Sequence, residues 1–96
     1  MFIIHVNHKV SLDIVDQHLT AHIDYLKQQY SLGNFIASGR QVSRTGGIIL
    51  SNMENKKALD RVLEQDPFKQ NNLVNYEVSE FVPSMICKKL EFLRSN

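Results

Sequence analysis

Three groups of residues in this chain could carry chemistry. The first is histidine. His18 and His22 lie four residues apart, and His5 and His8 lie three apart. An imidazole takes up or releases a proton near neutral pH, which suits acid and base catalysis. The His18/His22 spacing also puts two metal-ligand types on one helix face. However, Leu19, Thr20 and Ala21 stand between them in place of an HExxH pattern, and no spacing supplies a third ligand. No tightly bound metal and no cofactor is expected. The second group is Asp66-Pro67-Phe68. Aspartate is a strong N-cap and proline suits the first position of a helical turn, so Asp66 reads locally as a cap. Against this, a carboxylate just after the preceding helix faces that helix's negative end.

The third group lies between residues 38 and 50. Ser38-Gly39-Arg40 ends one apolar stretch and Gly46-Gly47-Ile48 begins another. Glycines at strand ends serve turns or bulges. A Gly-Gly pair also exposes backbone N–H groups to an anion or a carbonyl oxygen. Arg40 and Arg44 flank the connection, where they can pair with a substrate carboxylate or remain solvated. Cys87 is the sole cysteine, which excludes a disulfide framework and a CxxC motif. Lys88 and Lys89 beside it could lower its pKa, but an idle thiol is the simpler reading.

The elements that must position these residues follow from periodicity. Residues 2–7 alternate, with Phe2, Ile4 and Val6 on one face and Ile3, His5 and Asn7 on the other, as in a strand. Ser11 is a suitable N-cap for a helix over residues 12–30, whose apolar stripe is Leu12, Val15, Leu19, Ile23, Leu26 and Tyr30. At 100° per residue, His22 sits on the flank of this stripe, about 60° from its centre. Gly33 closes the helix. Strands are expected at residues 34–40, 47–52 and 73–82. Asn55 caps a second helix with Ala58, Leu59, Val62 and Leu63 inward, and Pro67 ends it near Gln65. Ile86, Leu90 and Leu93 give residues 84–94 the spacing of a short extra helix.

The order β-α-β-β-α-β predicts an α+β, ferredoxin-like domain: a four-stranded antiparallel sheet with both helices on one face. The 96 residues form a single domain, with a core over residues 2–83 and a tail over residues 84–96. So short a chain buries only roughly 60–65% of its unfolded surface, which invites a partner subunit. Ile3, Ile36, Ile49 and Phe81, interleaved with His5, Ser38, Glu77 and Ser79, are the residues expected on the uncovered sheet face. A homodimer through that face would bury them. The net charge of +1, with no basic run, argues against nucleic acid or an anionic membrane as partner. No apolar run approaches the ~18 residues that span a bilayer. Residues 1–6 lack the basic start and length of a signal peptide, so a cytoplasmic location is expected.

The histidine after Ala21, the Ser38–Leu50 segment with its Arg44-Thr45-Gly46-Gly47, the Asp66-Pro67-Phe68 turn and Leu73-Val74-Asn75-Tyr76-Glu77-Val78 together resemble the YCII-related (YciI-like) family. The resemblance runs from Phe2 to about Pro83. It implies a dimeric α/β barrel, whose relatives include muconolactone isomerase-like enzymes. It also implies His22 as the catalytic residue, Asp66 as the carboxylate that orients it, and Ser38 near the pocket. The expected activity is cofactor-independent acid/base chemistry, of isomerase, lyase or dehydrohalogenase type, on a small anionic or carbonyl compound. His22 and Asp66 would be catalytic, and Ser38, Gly39, Arg44, Gly46 and Gly47 would bind substrate. The alternative is a non-catalytic dimeric module that binds a small ligand or a partner protein.

Overall fold

The computed structural model describes residues 1–93. Its elements are β1 (Phe2–His8), α1 (Leu12–Gln17), α2 (Leu19–Ser31), β2 (Phe35–Arg40), β3 (Gly46–Ser51), α3 (Lys56–Leu63), α4 (Pro67–Gln70), β4 (Val74–Glu80) and a final 3-10 turn, Lys88–Leu93. The strands form one antiparallel sheet in the order β2-β3-β1-β4. This is the ferredoxin-like arrangement, with the helices packed on one face. No helix among the described residues is long and apolar enough to cross a membrane.

The core lies between sheet and helices. Phe2, Ile4 and Val6 of β1 are buried there with Phe35, Ile49, Leu59, Val62, Leu63, Phe68 and Val74. Asn55 caps α3 by accepting the Ala58 amide at 2.8 Å, and Leu59, Val62 and Leu63 form its inner face. Gly33, with φ of +78°, takes the left-handed conformation that ends α2, and its amide donates to the Tyr30 carbonyl at 3.0 Å.

The structure corrects the sequence expectations in three places. The helix expected over residues 12–30 is broken at His18, whose amide bonds back to Val15 in a tightened turn. Of the apolar stripe, only Val15 is buried and Leu26 half-buried. Val15, Tyr25 and Gln29 are buried and His18 and His22 half-buried, whereas Leu12, Leu19, Ile23 and Tyr30 are each about 40% exposed. These two stripes lie about 90° apart around a helix. Two hydrogen bonds offset part of the cost of burying the polar stripe: Tyr25 donates to the Val62 carbonyl at 2.8 Å, and Gln29 Oε1 accepts from Asn34 at 2.7 Å, while Gln29 Nε2 is buried without a partner among the described residues.

The second correction concerns the uncovered sheet face. Ile49 lies opposite Ile4, so it points into the helix-side core, and Ser38, opposite Ile49, is on the same side of the sheet but exposed. Register instead puts Ile48 and Leu50 of β3 beside His5 and Ile3 on the open face, with Ala37, Glu77 and Ser79. Ile36 sits at a bulge between Phe35 and Ala37, which shifts the alternation of β2 by one residue. Phe81 lies past the end of β4 and is half-exposed.

Third, the extra helix of the tail is a 3-10 helix and covers only Lys88–Leu93 of residues 84–94. Leu93 is buried and Leu90 exposed, and Arg94, the end of the expected helix, lies outside the described residues.

Candidate functional site

Asp66 is fully buried, and three donors surround it. Its backbone is extended, Pro67 follows as the first residue of α4, and its Oδ1 accepts the Phe68 amide at 3.0 Å. The same oxygen accepts from His22 Nδ1 at 2.8 Å. Oδ2 accepts from the Tyr76 hydroxyl at 2.5 Å. Capping and histidine pairing are therefore not alternatives, because one carboxylate does both. A buried carboxylate without partners would cost several kcal/mol, and the three donors offset that cost. Burial, followed by the charge and hydrogen bond of Asp66, pushes the Tyr76 phenol far above its usual range. Tyr76 therefore stays a donor.

His22 comes to Asp66 from the first turn of α2. Its ring lies flat on Phe68, with centroids 3.9 Å apart and planes 3° from parallel. The side chain is 13% exposed. A carboxylate accepts, so Nδ1 carries a proton, and in the neutral ring Nε2 holds the lone pair. Nε2 has no partner among the described residues. Tyr25, one turn on, packs near the His22 ring at 6.2 Å. Burial, and next the Asp66 charge, raise its phenol well above the ordinary range, so it stays neutral.

His22 lines a cavity of about 490 Å³ between the α1–α2 helices and the β2–β3 end of the sheet. The half-exposed stripe of α2 (Leu19, Ile23 and Leu26) forms one apolar wall. Ser38, Gly39, Arg44, Gly46 and Gly47 line the opposite side with Arg40. Of the residues expected to be catalytic or to bind substrate, Asp66 alone is absent from the lining, because it lies behind His22. Ser38 is held by a 2.7 Å hydrogen bond with the Tyr30 hydroxyl. Arg44 has a φ of +63°, a left-handed conformation that costs a non-glycine residue about 1 kcal/mol or more. Neither Arg40 nor Arg44 has a carboxylate partner among the described residues.

Gly47 lies in β3 as expected, and the strand begins one residue earlier, at Gly46. A Cβ on Gly46 would lie 1.9 Å from the Val6 carbonyl oxygen, and one on Gly47 would lie 3.0 Å from that of Gly39. Glycine is needed there so that the neighbouring strands can approach, whatever the residues bind.

Sequence reasoning missed three parts of the site. Phe68 stacks on His22, and its place two residues after Asp66 was the available signal. Tyr76 follows from alternation, since Val74, Tyr76 and Val78 share the helix-side face of β4 with the core strand β1. His8 lines the cavity at the end of β1 and meets the Phe68 ring edge-on at 6.4 Å. Burial and then the charge of His22 lower its pKa, against an upward pull from Asp16. Among the described residues, no three His, Cys, Asp or Glu side chains are grouped to hold a metal ion.

Comparison with known proteins adds a family and a fold. Among solved structures, the chain is similar to the 5-chloro-2-hydroxyhydroquinone dehydrochlorinase TftG from Burkholderia phenoliruptrix AC1100, solved in complex with 2,5-dihydroxybenzoquinone. The TM-score is 0.73 at 20% identity, over 83% of this chain and 91% of that one. At that identity the likeness shows the fold alone. No curated protein matches. Residues 1–82 match the family model of the YCII-related domain, and the chain therefore belongs to the YCII-related domain family.

Proposed function

We propose that this protein is a small cofactor-independent enzyme in which His22 is the catalytic base and Asp66 orients it. One observation carries the reading: His22 is tied through Nδ1 to a buried carboxylate while it lines a cavity large enough for a small molecule. Nε2 takes a proton from a C–H or O–H group beside a carbonyl. Asp66 holds the tautomer and stabilises the imidazolium that forms. Arg44, with Arg40 beside it, meets an anionic group of the substrate, and Ser38, Gly39, Gly46 and Gly47 shape the opposite wall. Isomerisation and elimination of halide both need only such a base and a partner for the developing oxyanion.

TftG acts on a chlorinated hydroxyhydroquinone, so small rings bearing hydroxyl, carbonyl or chloride groups are the first compounds to assay. Turnover of one of them by the wild type should fall at least about 100-fold in His22→Gln, the usual worth of a general base. Binding that leaves every compound unchanged would instead support a non-catalytic ligand-binding module.

The open sheet face supports a second element of the proposal, a homodimer. Ile3, Ile48 and Leu50 lie together there, and a second copy's sheet would cover them. The single exposed Cys87 is compatible with a reducing, cytoplasmic setting.

A further inference from the structure

We infer that His8 is a second catalytic residue, whose imidazole N–H hydrogen-bonds the substrate oxygen on which negative charge develops while His22 removes a proton. The inference rests on the reading of His22 as base. His8 and His22 are the two histidines that line the cavity. His8 is fixed through its backbone: its amide donates to the Thr45 carbonyl at 3.0 Å, and the next amide, Lys9, donates to Leu73 at 2.8 Å. Its ring meets Phe68 edge-on, at 6.4 Å and 89°, and that same phenyl ring stacks flat on His22. One aromatic side chain therefore spaces two imidazoles along one wall.

The two histidines differ in what they are tied to. His22 gives Nδ1 to Asp66, whereas neither ring nitrogen of His8 has a partner among the described residues. His8 is half-buried. A ligand that displaces water from this wall must offer its N–H an acceptor or leave it unpaired. Burial and the neighbouring His22 charge both favour the neutral ring, with Asp16 of α1 opposing them. A neutral imidazole still carries one N–H and donates it without first taking up a proton.

The step balances without an oxidant or reductant. A C–H or O–H bond beside a carbonyl breaks and its proton goes to His22 Nε2. The pair of a C–H bond forms a C=C bond while the carbonyl π pair moves onto oxygen, giving an enolate, and the pair of an O–H bond stays on its own oxygen, giving a phenolate; the His8 N–H holds that oxygen. Return of the pair either accepts the proton at another carbon, an isomerisation, or expels halide, an elimination.

The test uses the full chain and 2,5-dihydroxybenzoquinone as probe, a planar ring with carbonyl and hydroxyl oxygens. Ring ¹⁵N signals of the four histidines, assigned with single His→Gln variants, are followed through a titration. His8 and His22 should shift together on one saturation curve, while His5, on the open sheet face, stays unchanged. His8→Phe should weaken binding about tenfold, the usual worth of one hydrogen bond, and His8→Gln, which keeps an N–H donor, should recover most of it. A shift at His22 alone, equal affinity of His8→Phe and wild type, or no recovery by His8→Gln would overturn the role of His8 and leave His22 as base. A shift at neither histidine would overturn both readings.

Discussion

His22 Nδ1 and the Phe68 amide share a single oxygen of Asp66, at 2.8 Å and 3.0 Å. The carboxylate that orients the imidazole is thus the cap of the turn carrying the ring on which that imidazole stacks. A displacement of α4 moves Asp66 and Phe68 together, so the hydrogen bond and the ring stacking of His22, which stands on α2, change at once.

Asp66→Ala strands three donors in a dry site. We expect a loss of about 3 kcal/mol or more of stability, measured by urea unfolding. Asp66→Asn keeps an acceptor and should cost less, about 1–2 kcal/mol. Yet it can present its amide N–H₂ to His22 and favour the other tautomer. Turnover should therefore fall in Asp66→Asn even where the fold persists. Equal stability of Asp66→Ala and wild type would contradict the cage described here.

Gly46→Ala drives a methyl group into the Val6 carbonyl, a backbone atom that cannot swing aside. The expected cost is about 3 kcal/mol or more, with β1 and β3 forced apart. Gly47→Ala meets the Gly39 oxygen at 3.0 Å, and the edge strand β2 can yield, so about 1 kcal/mol is expected. Thermal melts of the two variants should separate in that order. The reverse order would mean that β1, not β2, is the strand that gives way.

Acid should weaken the fold partly through His8. Burial and the His22 charge lower its pKa in the folded state, so the unfolded chain binds the proton more readily. Stability is therefore full above the ordinary imidazole range and declines as pH falls through it, until folded His8 protonates as well. Comparison of urea midpoints at about pH 7.5 and about pH 5.5 should show a smaller drop for His8→Gln than for wild type. An identical drop in both would remove His8 from the account.

Sedimentation at micromolar concentration should give twice the chain mass, with Ile3, Ile48 and Leu50 in the contact. Leu50→Lys places a charge at the centre of that face and should yield monomers without unfolding the chain. A wild-type monomer would refute the assembly proposed above.

The order of elements was legible in the sequence because it depends on local periodicity and punctuation. Alternation in Phe2–Val6, the Asn55 cap, Gly33 and Pro67 each act within a few residues, and each has the expected role. The two ends of the site were also marked, His22 by its place on a helix flank and Asp66 by the proline that follows it. Tertiary structure decided what those residues touch. Hydropathy assigned the inner face of α2 to its leucines and isoleucine, but the helix buries Tyr25 and Gln29 toward the core, with His22 half-buried beside them, and lays the apolar stripe along the cavity. A periodic pattern records the polarity of a side chain but not whether a carboxylate 44 residues away will accept a hydrogen bond from it. A bulge at Ile36 likewise shifts the alternation of β2. Close approach of backbones explains Gly46, and one phenyl ring joins His8 to His22. All of these are contacts between segments distant in the chain, so only the packed structure contains them.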